Sequence, residues 1–285
     1  MAAIRLVQLV WGRLPKVVYD TMNWLLVIFW LFWGSIHLGL AADSAMPTVL
    51  AERARLILDD NGSKPRGGPL QAQFGNGVQV RARAGTWART KNNPNVWRAT
   101  WNGKGHVPVA AYHGFRATNL VVEVTFRFGE NTEPWHHQCF RIAADQRPAI
   151  TGHIVSAWAN ADNDFIETGF LLQHIRKTPE KKILDDLLLD RQPLALKPHV
   201  WHTAMLEIVG DEALFRLGGH VAYAQAKQIR LPKNLVSLTT GAIWHEIRRV
   251  RIWEATPNPN WSRVKTAILQ TRKPFTPSVH RYVKP

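Results

Sequence analysis

The chain has 285 residues, 46% of them hydrophobic, enough for one large domain with a sizeable core and short appendages. Lys and Arg outnumber Asp and Glu by 36 to 21, a net charge of +15 that suits polyanionic partners or a broadly solvated basic surface. A lone cysteine, Cys139, excludes an intramolecular disulfide, and the lack of helix-turn-helix, zinc-finger or RNP patterns speaks against a nucleic-acid partner.

Residues 1–42 contain an apolar run, Trp24 to Ala42, preceded by Arg5, Arg13 and Lys16 and ending in small residues. This is the layout of a signal peptide cut after Ala41 or Ala42, with Met22 as an alternative start. An uncleaved signal anchor is the competing reading, because about 20 apolar residues span a bilayer. The expectation is export to a periplasmic, cell-envelope or extracellular location, with membrane contact only through this segment if it stays uncut.

Residues 43–80 read as a linker with a short helix over 46–58, where Val49, Ala51, Leu56 and Ile57 sit among charges. Residues 81–264 are dominated by extended segments separated by Gly, Pro or Asn turns. Within them, TPEKKILDDLLLDRQP (178–193) has Thr178 and Pro179 in capping positions and Ile183, Leu184, Leu187 and Leu188 on one helical face, which predicts a short helix. A second helix is expected from about Trp261 to Leu269, residues 265–285 are a basic tail, and its stretch TRKPFTPSVHRYVKP (271–285) reads as poorly ordered.

The clearest local pattern is HVWHTAMLEIVGDEALFRLGGHVAYA, residues 199–224. Trp201, Thr203, Met205, Glu207 and Val209 alternate with His202, Ala204, Leu206 and Ile208, a period of two that marks a strand. Gly210-Asp211 and Gly218-Gly219 supply the turns of a three-stranded meander over 201–209, 212–217 and 220–225. With further strands at 234–240 and 247–254 and no alternating helices, the fold class is all-β, a two-sheet jelly-roll sandwich with short helical additions and an N-terminal hydrophobic segment.

The polar strand faces hold the candidate site. Val122, Val124, Phe126 and Phe128 point one way, towards the inter-sheet core, whereas Glu123, Thr125 and Arg127 point the other. Glu167 and Gln173 oppose Ile166, Phe170 and Leu172, and Arg141 opposes Phe140 and Ile142. Such polar positions line either solvent or a saccharide groove. Trp135 and Trp158, beside loop-like segments, are candidate sugar-stacking surfaces or core fillers. Glycoside hydrolysis usually needs two carboxylates about 5–9.5 Å apart. Glu123 and Glu167 are the best-placed acids, yet no E-x-D-x-x-E strand is present. The histidines show no metal-binding spacing. No cofactor is therefore expected, although Asp162 and Asp164 in ANADNDF offer either a calcium site or a plain Asx turn. Cys139, in a strand-like run, reads as a small buried hydrophobe.

Four stretches, GHVPVAAYHGFRATNLVVEVTFRF, GHIVSAW, WHTAMLEIVGDEALFRLGGHVAY and IRRVRIWEATPNPNW, make residues 81–264 resemble the 3-keto-disaccharide hydrolase-like domains of secreted planctomycete-type bacterial proteins. The resemblance implies a concanavalin A-like β-sandwich, export and a carbohydrate context. It also offers His106 and His153, each after a Gly, as candidate site residues. The chain departs from the family pattern in the penultimate strand, where Ile247-Arg248-Arg249-Val250 puts Arg248 in place of an expected Asp, and in its opening segment. Three readings follow: a carbohydrate-binding protein with Arg141, Glu167, Trp135 and Trp158 as substrate-binding residues; a 3-keto-glycoside hydrolase or lyase using His106, His153 or Glu123 as base; and a non-catalytic structural envelope protein. The partner expected is a poly- or oligosaccharide.

Overall fold

The structure, a computed structural model, describes residues 45–63, 70–101, 105–129, 138–148, 152–161, 169–177, 183–241 and 243–280. The N-terminal apolar run, Trp135, Glu167, Asp162 and Asp164 lie outside these residues. The part from Met46 onward is two antiparallel sheets face to face.

The first, eight-stranded sheet runs in the order β14 (His220–Gln225), β13 (Glu212–Leu217), β12 (His202–Val209), β7 (Leu120–Phe128), β16 (Trp244–Pro257), β5 (Trp97–Thr100) and β4 (Thr86–Arg89). β1 (Ala51–Asp60) pairs with the C-terminal part of the long β16. The second, nine-stranded sheet runs β17 (Ser278–His280), β11 (Ile183–Gln192), β10 (Gly169–Lys177), β9 (Gly152–Asn160), β8 (Cys139–Asp145), β15 (Lys233–Thr240), β6 (Val109–Ala117), β3 (Gln79–Ala84) and β2 (Gln71–Gln73). The predicted meander is β12–β13–β14, with its turns at the expected glycines.

Alternation sorts the residues as read. Val122, Val124, Phe126 and Phe128 of β7, and Ala204, Leu206 and Ile208 of β12, enter the inter-sheet core. Two aromatic stacks pin the sheets together: Phe126 lies on Phe140, centroids 3.9 Å apart, and Phe170 on Phe215, 4.2 Å apart. Fully burying such rings contributes about 1.5–3 kcal/mol each, plus a smaller term for the stacking geometry.

His245 is sealed into the same core against Phe126 and Phe128. Neither ring nitrogen makes a regular hydrogen bond among the described residues. Burial pushes its pKa from 6.5 down to about 3, opposed only by the Gly241 backbone. The folded value lies below the unfolded one, so the unfolded chain takes up the proton first and stability falls as pH drops through this window. About 2–3 kcal/mol is expected to be lost from this group between about pH 7 and 4.5. Urea melts at the two pH values check this; a His245→Phe variant with the same pH loss as wild type refutes it.

Three expectations are corrected. The helix read over 46–58 is strand β1: bulges at Arg53/Leu56 and Leu56/Leu58 break the period of two, leaving Ile57 and Leu58 both buried and Leu56 exposed. The helix read over 178–193 is strand β11, between β10 and β17, with bulges against β10. Leu188 and Leu189 are buried in different clusters, so the leucine run has no polar face to reveal a strand. The stretch from 271 read as poorly ordered holds strand β17, and α1 (Trp261–Leu269) forms where a helix was expected. α1 is docked by Glu212, which accepts from Tyr223 Oη at 2.5 Å, Trp261 Nε1 at 3.2 Å and Lys265 Nζ at 2.6 Å.

Candidate functional site

The outer face of the eight-stranded sheet is closed by ion pairs. Glu123, 2% exposed, accepts from Arg251 Nε at 2.8 Å and from Arg53 Nη2 at 3.4 Å, and the Met46 amide donates to it at 2.7 Å. Glu246 accepts from Arg98 and Arg127, at 2.6 and 2.5 Å. Glu207 accepts from Arg216 at 2.8 Å and from the Val49 and Ala51 amides at 2.8 and 3.0 Å, so residues 46–51 strap this face. The arginines lie over indoles: Arg53 over Trp253 at 4.5 Å, Arg127 over Trp201 at 4.7 Å and Arg98 over Trp244 at 4.6 Å. These cation–π contacts give Trp201, Trp244 and Trp253 structural roles on this face. Arg248, standing where the resemblance expects an Asp, sits at a bulge in β16 and lies over Trp201 at 5.4 Å.

The outer face of the nine-stranded sheet is different. Phe140 and Ile142 of β8 enter the core, so Arg141 and Asp145 point outward. In cross-strand register Thr239, Arg141 and Trp158 form one row, and Ser237, Ala143 and Ser156 the next. The Arg141 guanidinium lies over the Trp158 ring at 4.7 Å and donates to Thr239 Oγ1 at 3.1 and 2.6 Å and to His153 Nε2 at 3.1 Å. A guanidinium only donates, so Nε2 of His153 is an acceptor and Nδ1 carries the proton, donated to Asp145 Oδ2 at 2.8 Å. The other Asp145 oxygen accepts from the Ile154 amide at 3.1 Å. Burial and then Arg141 hold the His153 pKa below its ordinary value, which keeps the imidazole neutral. Burial also lowers Arg141 to about 10, opposed first by Asp145.

Of the sequence candidates, Arg141, His153 and Trp158 therefore meet. Glu123 does not join them: it belongs to the opposite sheet and faces away from the core on that side. His106 is exposed in the turn before β6, its Nδ1 2.7 Å from the Val107 carbonyl. Trp158 is 5% exposed with Arg141 over its face, so that face is not an open platform. Cys139 is a buried thiol, not in a disulfide, packed with Trp158, Leu171 and Leu188, as read. Among the described residues no group of three or more His, Cys, Asp or Glu side chains converges on a metal-sized space.

Sequence reasoning passed over the open part of this face. Beside β8, at strands β15, β6 and β3, lies a cleft of about 320 Å³ lined by Arg81, Arg83, His113, Phe115, Arg147 and Leu235, with Gly114 and Asn234. Arg81 and Arg83 flank Ala82, which packs on the core, so the QVRARA alternation puts both arginines on the outer face, a legible signal. Gly114 has φ +92°, and a Cβ there would stand 2.6 Å from the Gly77 carbonyl oxygen, so glycine is required where β6 bends at the cleft. The Asn234 side chain exchanges hydrogen bonds with the Arg147 backbone at 2.7 and 2.8 Å and fixes that loop. A second cleft of about 240 Å³, lined by Arg116, Arg147, Lys233 and Asn234 among others, shares Arg147 and Asn234 with the first.

No protein-family model matches the chain, and no curated protein matches it. Several solved structures are similar to it. The CBM2 module of the evolved Dit of Lactobacillus casei BL23 phage J-1 is 9% identical over 72% of this chain and 98% of that one, with a TM-score of 0.46. The carbohydrate-binding module CBM66 from Bacillus subtilis is 10% identical over 62% and 93%, with a TM-score of 0.38. The exoplasmic/lumenal domain of VIP36, in its Ca2+-bound form, is 8% identical over 69% and 92%, with a TM-score of 0.39. The two-sheet jelly-roll sandwich is written in this chain's own strand order and register.

Proposed function

We propose that this chain is an exported carbohydrate-binding β-sandwich protein, a signal segment (1–42) followed by a sandwich that takes in β1, β2 and β17 as well as the strands of 81–264, and that its saccharide lies along the outer face of the nine-stranded sheet. The observation that carries this is the cleft of about 320 Å³ on that face, walled by Phe115 and Leu235 on the apolar side and by arginines, His113 and Asn234 on the polar side. Its size falls in the range of about 300–1,000 Å³ usual for ligand sites. Apolar wall plus convergent polar groups is the chemistry a sugar ring demands.

The hydrolase or lyase reading asks for a base near the sugar. Nε2 of His153 receives an Arg141 N–H, which leaves it no free lone pair for a proton, and Asp145 is committed to His153 and Ile154. Neither of these two groups is free to act as that base, and the cleft itself carries the binding reading. Arg141 acts as a buried strut under the binding face, and a calcium ion, if one is used, belongs with Asp162 and Asp164.

The test is an NMR titration of the full-length protein with a panel of oligosaccharides, including 3-keto-disaccharides and their parents, with and without chelator. Saturable shifts without new sugar signals are expected. Cleavage of the keto sugars alone would replace this reading with the enzyme; silence towards every sugar would favour an envelope scaffold.

A further inference from the structure

We infer that the cleft between β3, β6 and β15 selects acidic saccharides, engaging the carboxylate or sulfate of the sugar with Arg81, Arg83 and Arg147 while the ring rests on Phe115. The inference rests on the carbohydrate-binding reading and adds the charge of the ligand to it.

Three observations combine. First, Arg81, Arg83 and Arg116 are uncompensated among the described residues, while Arg147 donates from Nη2 to the Gly152 carbonyl at 3.0 Å. None of the residues lining either cleft is acidic, and Arg81, Arg83 and Arg116 have no hydrogen-bond or ion-pair partner among the described residues. This contrasts with the opposite sheet, where Arg53, Arg98, Arg127, Arg216, Arg249 and Arg251 all meet carboxylates. A fold that neutralises arginine so thoroughly on one face leaves a concentrated positive field on the other, and low-dielectric walls focus it. Guanidinium forks match carboxylate and sulfate oxygens bidentately.

Second, the site is more than a charge patch. Phe115 and Leu235 give an apolar wall for the C–H face of a pyranose, which an inorganic ion does not need. The His113 Nε2 atom is buried with no partner among the described residues, an unsatisfied polar atom beside the cleft. Burial first, then Arg81 and Arg83, hold the His113 pKa below its ordinary value, so the ring is neutral and both donates and accepts.

Third, the two clefts share Arg147 and Asn234 and so run on from one another, with Arg116 lining the second. Cations in successive clefts fit a polymer that carries an acid at intervals along the chain. Short cleft walls of this kind suit a sugar ring better than a flat lipid surface or stacked nucleobases, for which the residues lining the clefts offer no aromatic series.

The experiment is calorimetric titration of the full-length protein with an oligogalacturonate, the same oligomer with its carboxyl groups reduced, dextran sulfate, a single-stranded oligonucleotide and phosphatidylglycerol vesicles. Arg81→Gln/Arg83→Gln is run in parallel; both residues are exposed, and an unchanged thermal melt establishes its fold. The expected result is binding of oligogalacturonate or dextran sulfate, weakened about tenfold or more by carboxyl reduction and by the double variant. The galacturonate and sulfate arms identify the oxyanion. Equal binding of the acidic and reduced oligomers overturns the acidic selectivity and leaves carbohydrate binding standing. Equal, arginine-dependent binding of the oligonucleotide or the vesicles also overturns it, as general attraction to anions. Binding of no saccharide overturns both readings together.

Discussion

Glu207→Ala is expected to destabilise the protein by about 3–5 kcal/mol, because it leaves a buried guanidinium without its counter-charge. Glu207 is fully buried, and Arg216, 9% exposed, sends both Nε and Nη2 to its Oε1, at 3.2 and 2.8 Å. The second oxygen holds the Val49 and Ala51 amides, so the variant also frees two donors of the 46–51 strap. Arg216 separately reaches the Pro47 carbonyl, which makes the strap and the ion pair one unit. Urea denaturation gives the size of the effect, and hydrogen exchange at Val49 and Ala51 gives its location. Glu207→Gln keeps an amide oxygen for the strap but turns its NH2 towards the Arg216 donors, so it should restore protection at Val49 and Ala51 more than it restores stability. A loss below about 1 kcal/mol for the alanine variant would mean that the pair is no better than an exposed salt bridge.

The same residue shows what the sequence makes legible. Glu207 sits in a segment whose period of two is unbroken, and alternation alone puts it on the outer face with Thr203 and Met205 while Ala204, Leu206 and Ile208 go inside. Its partner Arg216 pairs with Met205 across a tight hairpin, a local relation, and is nearly within reach of sequence reasoning. Glu123 is on the same face by the same rule, but what silences it, Arg251, is 128 residues away and meets it only through the β7–β16 register. Pattern can say which way a side chain points; it does not say which strand will lie beside it.

Bulges mark the other limit. β1 and β11 each carry two, and the resulting apolar clusters imitate a helical face. The same physics governs His153: counting in twos from Val155 and Ala157, which enter the core, would send it inward. A register shift between Gln173 and Ile175 of β10, opposite the start of β9, accompanies its placement on the outer face with Asp145 and Arg141. The Arg81/Arg83 pair keeps its alternation in exposure although β3 also shifts register against β6 between Ala82 and Ala84, so the pair was readable as one face.

Asp145→Asn tests the buried relay under the proposed binding face. The carboxylate accepts from two donors at once, the His153 Nδ1–H and the Ile154 amide, with one oxygen each. Asparagine has a single oxygen, so its NH2 group must face one of them. If it faces His153, the imidazole must adopt the other tautomer, and Nε2–H then points at the Arg141 N–H. Either arrangement sets donor against donor in a site where Asp145 is 1% exposed, and it removes the nearest negative charge from Arg141. A loss of about 2–4 kcal/mol is expected for a near-isosteric change. His153→Gln in the Asp145→Asn background should recover part of it, since the glutamine amide can turn its oxygen to Arg141 or to the introduced side-chain amide at position 145 without a tautomer constraint. Recovery would tie the cost to the proton on Nδ1; a double variant as unstable as the sum of its parts would show that the carboxylate acts through Ile154 alone. Because Arg141 keeps Thr239 and Trp158 in either case, saccharide affinity should fall less than stability does, and a proportionate collapse of both would make the relay part of the binding surface itself.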